Sequence, residues 1–300
     1  MLGHNELEVD PALTRHDAGG RLQLSDESAG VHTGTLPVCL RQKTQWCGLW
    51  PGAMWRIESI LFIGFLVLNG LYKVEYGING AFGRSIMCMH DGKMLGGNSA
   101  FAHLGTYQVM RGEIAAEVIT ERHNDDPHFK PLMGADVTVI KVRGRTEGST
   151  ILLEGKADAM PDGVFWANLA PLDDEALPPR GAVGPGGIVN GLYSIQLRAL
   201  DGVDAGLSGV MLLMDGRILG GDAFFYYLGS YTSADGRWRG EIVNQEHTPA
   251  KGEYPVFGGY EVGIGFAGSC REEGAELEGI ALAGKRSLRL AAELRLMRRA

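Results

Sequence analysis

Asn69-Gly70-Leu71-Tyr72 recurs as Asn190-Gly191-Leu192-Tyr193, and Asp91-Gly92-Lys93-Met94-Leu95-Gly96-Gly97-Asn98 recurs as Asp215-Gly216-Arg217-Ile218-Leu219-Gly220-Gly221-Asp222. Leu104-Gly105-Thr106-Tyr107 returns as Leu228-Gly229-Ser230-Tyr231, again 124 residues downstream, and the offset persists to Glu154-Gly155 and Glu278-Gly279. Only the first element departs. Its offset of 121 places three extra residues in the second copy, around Asp201 to Gly206. Each copy is about a hundred residues, too long for a solenoid unit and the size of a complete domain. The chain is a tandem duplication, so any fold assigned to it must be built twice.

Within each copy the apolar residues recur at every second position, the period of a strand with one buried face. Tyr72, Val74 and Tyr76 alternate with Lys73 and Glu75; Tyr193, Ile195 and Leu197 alternate with Ser194, Gln196 and Arg198. Asp91-Gly92 and Asp215-Gly216 have the form of tight hairpin turns with positive φ. Gly96-Gly97 and Gly220-Gly221, with Asn98 and Asp222 after them, fall inside a strand pattern and predict a bulge or a sharp barrel corner. The Asn or Asp is expected to hydrogen-bond its own turn. Residues 287–296 have helix-forming composition, but Leu288, Leu290, Ala292, Leu294 and Leu296 alternate without a break, which predicts a strand. The chain has 45 glycines in 300 residues, about twice the usual ~7%, which suits short strands and tight turns. The expected class is all-β, with two tandem antiparallel up-and-down barrels of about eight strands each.

The sequence divides into five segments. Residues 1–53 lack a repeat counterpart and an apolar period, and are expected to be disordered or not part of the natural product. Residues 54–68 form an apolar lead-in whose longest run, Ile60 to Leu68, is too short for a membrane-spanning helix, which needs about twenty residues. Residues 69–172 make barrel 1, residues 173–189 a Pro/Gly linker, and residues 190–300 barrel 2. A net charge of −8 argues against a nucleic-acid partner. The four cysteines include no CxxC pair, so free thiols in a cytoplasmic protein are expected, with no membrane association.

Few residues suggest catalysis. Gly220-Gly221-Asp222-Ala223-Phe224 echoes a diguanylate-cyclase signature, but Ala223 stands where the second acid would be and copy one has Asn98. His123 and His247 hold equivalent strand-end positions and are expected to cap loops; no other His or Cys repeats at ligand spacing. The expectation is a protein with no catalytic residues, no cofactor and no metal. The second strand of each copy is apolar on both faces, unlike a one-sided barrel wall. Ile86, Met87 and Met89, with Val210, Met211 and Leu213, are therefore candidate interface residues. They would be covered by the other barrel as an intramolecular pseudo-dimer, by a second chain in a homodimer, or by the segment Ile60 to Leu68, and they are the surface offered to a protein partner.

Gly191-Leu192-Tyr193, Asp215-Gly216-Arg217, Gly220-Gly221-Asp222, Tyr226-Tyr227 and Gly229, with their counterparts in copy one, resemble the GrlR-type domain. That family is named for negative regulators of type III secretion gene expression. The resemblance covers both copies and implies a lipocalin-like barrel that acts by binding a protein, such as a transcriptional activator, rather than by catalysis. The family's regulator carries an acidic run in the hairpin after its Tyr-x-Gly element; here those hairpins read Val109-Met110-Arg111-Gly112 and Ser233-Ala234-Asp235-Gly236-Arg237. The expected function is a non-enzymatic regulatory protein-binding module. The alternative is a carrier holding a small apolar ligand in an interior lined by residues such as Tyr72, Tyr76, Trp238 and Ile242.

Overall fold

The computed structural model describes residues 68–172, 178–200, 207–249 and 261–300, and among them every regular element is a strand. Barrel 1 runs β1 (Gly70–Ile78), β2 (Ala81–His90), β3 (Lys93–Gly97), β4 (Phe101–Met110), β5 (Glu113–Arg122), β6 (Val137–Glu147), β7 (Thr150–Ala157) and β8 (Met160–Pro171). Barrel 2 repeats this as β9 (Gly191–Ala199), β10 (Leu207–Met214), β11 (Arg217–Gly221), β12 (Phe225–Ala234), β13 (Arg237–Glu246), β14 (Val262–Arg271), β15 (Gly274–Ala283) and β16 (Arg286–Arg299). Each strand pairs antiparallel with its chain neighbours, and the last closes on the first, with Tyr76 opposite Ala167 and Ile195 opposite Leu294. Residues 1–67, 173–177, 201–206 and 250–260 lie outside the described residues, and with them the expectations for the N-terminal segment and most of the lead-in.

Alternation decides what each strand buries. Tyr72, Val74 and Tyr76 point into barrel 1, and Tyr193 and Ile195 into barrel 2, each inside its own apolar core. In β16, Leu290, Ala292 and Leu294 complete the second core, so ladder pairing and burial override helix propensity there. Asp91-Gly92 and Asp215-Gly216 turn with φ near 50° and 78°, the left-handed pair that matches hairpin twist.

The paired glycines form a corner and not a bulge. Both ladders of β3 run without a register shift, and β3 hands directly over to β4. A side chain at Gly96 would collide with the main chain of Ile86, and Gly97 holds φ 153°. The linker also differs from a free coil. From residue 178 it straps onto barrel 2, where Ser233 N donates to Ala182 O (3.0 Å) and Gly184 N to Ser233 O (2.8 Å). Short β11 leaves the far half of β12 without a ladder partner on that side, and the strap supplies one.

Both barrels belong to one compact unit. Between them lies a third apolar cluster built from the outer faces of the early strands. Leu71, Ile86, Cys88, Leu95 and Leu104 come from barrel 1; Leu192, Val210, Leu212, Leu219 and Tyr226 come from barrel 2. The contact is reciprocal. A side-chain carbon at Gly97 would lie 2.8 Å from Val210 Cγ1, and one at Gly221 would lie 2.7 Å from Ile86 Cγ1. These positions are related by the repeat offset, so the glycines let the two sheets approach about a pseudo-twofold axis. At the seam's edge Asn124 Nδ2 donates to Ser208 Oγ (2.8 Å), and that hydroxyl donates to Ser99 O (2.6 Å).

Candidate functional site

The six interface candidates divide by the period of two. Ile86 and Val210 lie in the shared cluster. Met87 and Met89 point into barrel 1, and Met211 and Leu213 into barrel 2. The doubly apolar strand therefore serves two cores at once, and the four inward residues are corrected from interface to interior. Cys88 and Leu212, the alternate neighbours, share the seam with Ile86 and Val210.

The Asn and Asp after the glycines organise their own corners. Asn98 Oδ1 accepts from Ala100 N (3.0 Å) and Phe101 N (2.9 Å), and Asp222 Oδ1 from Phe224 N (2.7 Å) and Phe225 N (2.9 Å). Asn98 also donates its amide to the Tyr76 hydroxyl and to Arg84 O, both at 3.1 Å. Asp222 has no amide to offer, and burial pushes its carboxyl up to about 6. The repeated histidines stand over these corners. His123 Nε2 lies 3.0 Å from Asn98 O, and His247 Nε2 3.4 Å from Asp222 O, contacts in which the imidazole N–H must donate. Among the described residues no three His, Cys, Asp or Glu side chains converge as metal ligands would.

What sequence reasoning missed is His103. It sits on β4, faces the barrel 1 interior, and packs edge-on against Tyr76 with ring centroids 5.8 Å apart. Its Nε2 is buried without a hydrogen-bond partner, and so is the hydroxyl of Ser85 on β2. Burial, and secondarily His123, lower the His103 imidazole to about 4, so the ring is neutral at physiological pH. Both groups border a cavity of about 70 Å³ inside barrel 1, walled by apolar side chains including Val74, Met87, Val118, Ile140 and Phe165. Gly96 lies between β2 and β4 on the inner face and projects nothing into this space. The signal for His103 was a polar residue at an inward position of the strand period.

The connection from residue 123 to 136 covers this end of the barrel. Leu132 and Met133 dip into the core, and Met133 is buried. Arg122 ties the segment down: Nε donates to Asp136 Oδ1 (2.6 Å), Nη1 donates to Asn124 O (3.1 Å), and the guanidinium lies 4.7 Å from the Phe101 ring centroid.

Barrel 2 fills the same positions differently. The counterparts of Ser85, His103 and Tyr76 are Gly209, Tyr227 and Leu197. The Tyr227 hydroxyl donates to Asp222 Oδ2 (3.4 Å) and lies 3.0 Å from where a side-chain carbon on Gly209 would stand. Further in, Tyr231 meets Trp238 edge-on and Phe266 lies tilted against it, with Trp238 and Phe266 centroids 4.6 Å apart and Trp238 Nε1 donating to Glu276 O (3.0 Å). The unpartnered groups of barrel 2, the Tyr231 hydroxyl and Asn244 Nδ2, do not border the barrel 1 cavity.

No protein-family model and no curated protein matches the chain. Among solved structures it is similar to a crystal structure from Bacteroides fragilis NCTC 9343 described as a "putative outer membrane protein". The identity is 10% and the TM-score 0.20, over 76% of this chain and 96% of that one, a likeness too weak to carry an argument.

Proposed function

We propose that the protein is a non-enzymatic binding protein whose first barrel holds a small ligand. The observation behind this reading is the barrel 1 cavity, with apolar walls, two unpartnered polar groups and the 123–136 connection across its end. In barrel 2 the Tyr227 phenol stands where barrel 1 has His103, and it is spent on Asp222. A cytoplasmic setting belongs to the same reading, supported by the buried free thiols of Cys88 and Cys270. The barrels carry their apolar side chains inside and residues such as Glu113, Glu117 and Arg143 outside, the reverse of a membrane barrel. Native mass spectrometry of the full chain, followed by solvent extraction, tests the proposal. A bound mass lost when Phe165 is exchanged for Trp supports it, and a ligand insensitive to that exchange counts against it.

The regulatory protein-binding reading is supported by one feature. Met110, at the tip of the β4–β5 hairpin, is 63% exposed, and this is the hairpin where the resembled family carries its acidic run. Binding to a transcriptional activator would place the contact there, and a Met110→Lys exchange that leaves partner capture unchanged would dismiss it.

A further inference from the structure

We propose that the barrel 1 cavity recognises an uncharged, mostly apolar molecule bearing one hydroxyl or carbonyl, gripped by His103 Nε2 and Ser85 Oγ. This rests on the ligand-binding reading above and specifies its chemistry.

Three observations select that class. The walls are apolar, so most of the ligand must be hydrocarbon. Two polar atoms face the space with no partner inside the protein, and buried polar groups are rarely left so. A serine hydroxyl both donates and accepts, and a neutral imidazole nitrogen does one or the other according to tautomer. A ligand hydroxyl can therefore be matched at both its proton and its lone pair, and a carbonyl at its lone pairs. No acidic or basic side chain borders the cavity apart from the neutral His103, so an ionic ligand would be buried without a counter-charge. Size narrows the choice further. One water needs about 10–15 Å³ in this measure, so 70 Å³ offers about five such positions, the space of a six-membered ring with a substituent.

The duplication supplies an internal control. In barrel 2 the hydroxyl of Tyr227 approaches the Gly209 position and satisfies itself on Asp222. Barrel 1 has the shorter His103 instead, Ser85 in place of glycine, and Asn98, whose amide is spent on Tyr76 and Arg84. In barrel 1 the hydroxyl that meets the corner residue is that of Tyr76, where barrel 2 has Leu197, and Ser85 Oγ and His103 Nε2 are left unmatched.

The test titrates the full chain with cyclohexanol, cyclohexane and hexanoate by calorimetry and by NMR. Cyclohexanol is expected to bind one-to-one, hexanoate not to bind, and cyclohexane to bind about three- to tenfold more weakly than the alcohol. Ser85→Ala and His103→Phe should each erase most of that preference. The double exchange Ser85→Gly with His103→Tyr, which copies barrel 2, should abolish binding while circular dichroism keeps the strand spectrum. Equal binding of cyclohexane and cyclohexanol to the unmodified chain overturns the polar grip but leaves the ligand-binding reading standing. Binding of no probe, with ordered water alone in the cavity, overturns both.

Discussion

In barrel 1 the inward positions of β2 and β4 carry Ser85 and His103, whose polar atoms find no partner; in barrel 2 they carry Gly209 and Tyr227, and the phenol reaches across to Asp222. One strand plan thus carries unpartnered polar groups beside a cavity in one copy and a phenol bonded to its own corner in the other. Aromatic rings pack edge-on and tilted in barrel 2, where Trp238 stands in the place of Ile114. The lesson is that the ladder pairing and the outer seam are set by positions both copies share, whereas the interior is free to diverge. Duplication thus lets two interiors differ while the copies stay joined through one apolar face.

The largest effect is expected at the seam. Ile86→Asp or Val210→Asp would bury an uncompensated charge between the barrels and cost on the order of 5 kcal/mol. Denaturant unfolding should show the midpoint collapse or the single transition split. Either barrel tolerating the aspartate within about 1 kcal/mol would break the idea that the shared face couples them.

Next comes the contrast in filling. Trp238→Ala should destabilise by about 4 kcal/mol, because it opens a void among the packed aromatics and removes the indole hydrogen bond to the Glu276 carbonyl. Met87→Ala borders space that already exists and should cost nearer the low end, about 2 kcal/mol. Equal losses in thermal unfolding would mean that the two interiors are packed alike.

A third difference is titratable. Asp222, pushed up to about 6 by burial, holds its proton more tightly folded than unfolded. Its contribution is complete below the unfolded value near 4 and is lost as pH rises through about 6. Asp222→Asn, copying Asn98, should leave stability unchanged near pH 4 and raise it above pH 6, by up to about 3 kcal/mol. The histidines act in the opposite sense. His103 and His247 are held near 4 in the fold, so the stability they confer is complete above about pH 6.5 and is lost as pH falls toward 4. A stability–pH curve of the Asn variant parallel to that of the parent would show the carboxyl to be ordinary.

The smallest effect is at Met110. Met110→Lys, on an exposed hairpin tip, should shift stability by less than about 0.5 kcal/mol. Any larger loss would mean that the tip packs within the protein itself, and would weaken the protein-binding reading.

The sequence by itself determined the duplication, the strand period, the tight turns and the closure into two barrels, because these follow from local spacing repeated at a fixed offset. Even β16 was legible, since unbroken alternation outweighs helix propensity once a ladder partner and a core exist. The two-faced apolar strand was also legible as a strand covered on both sides. Only the tertiary structure decided which residue served which side, sending Ile86 to the seam and Met87 inward, and showed that the corner glycines are the point of contact between barrels. His103 was visible as a letter but not as a site. Its significance depends on what does not reach it, and an unmatched polar atom beside a cavity is a property of eight strands closed together, not of any one of them.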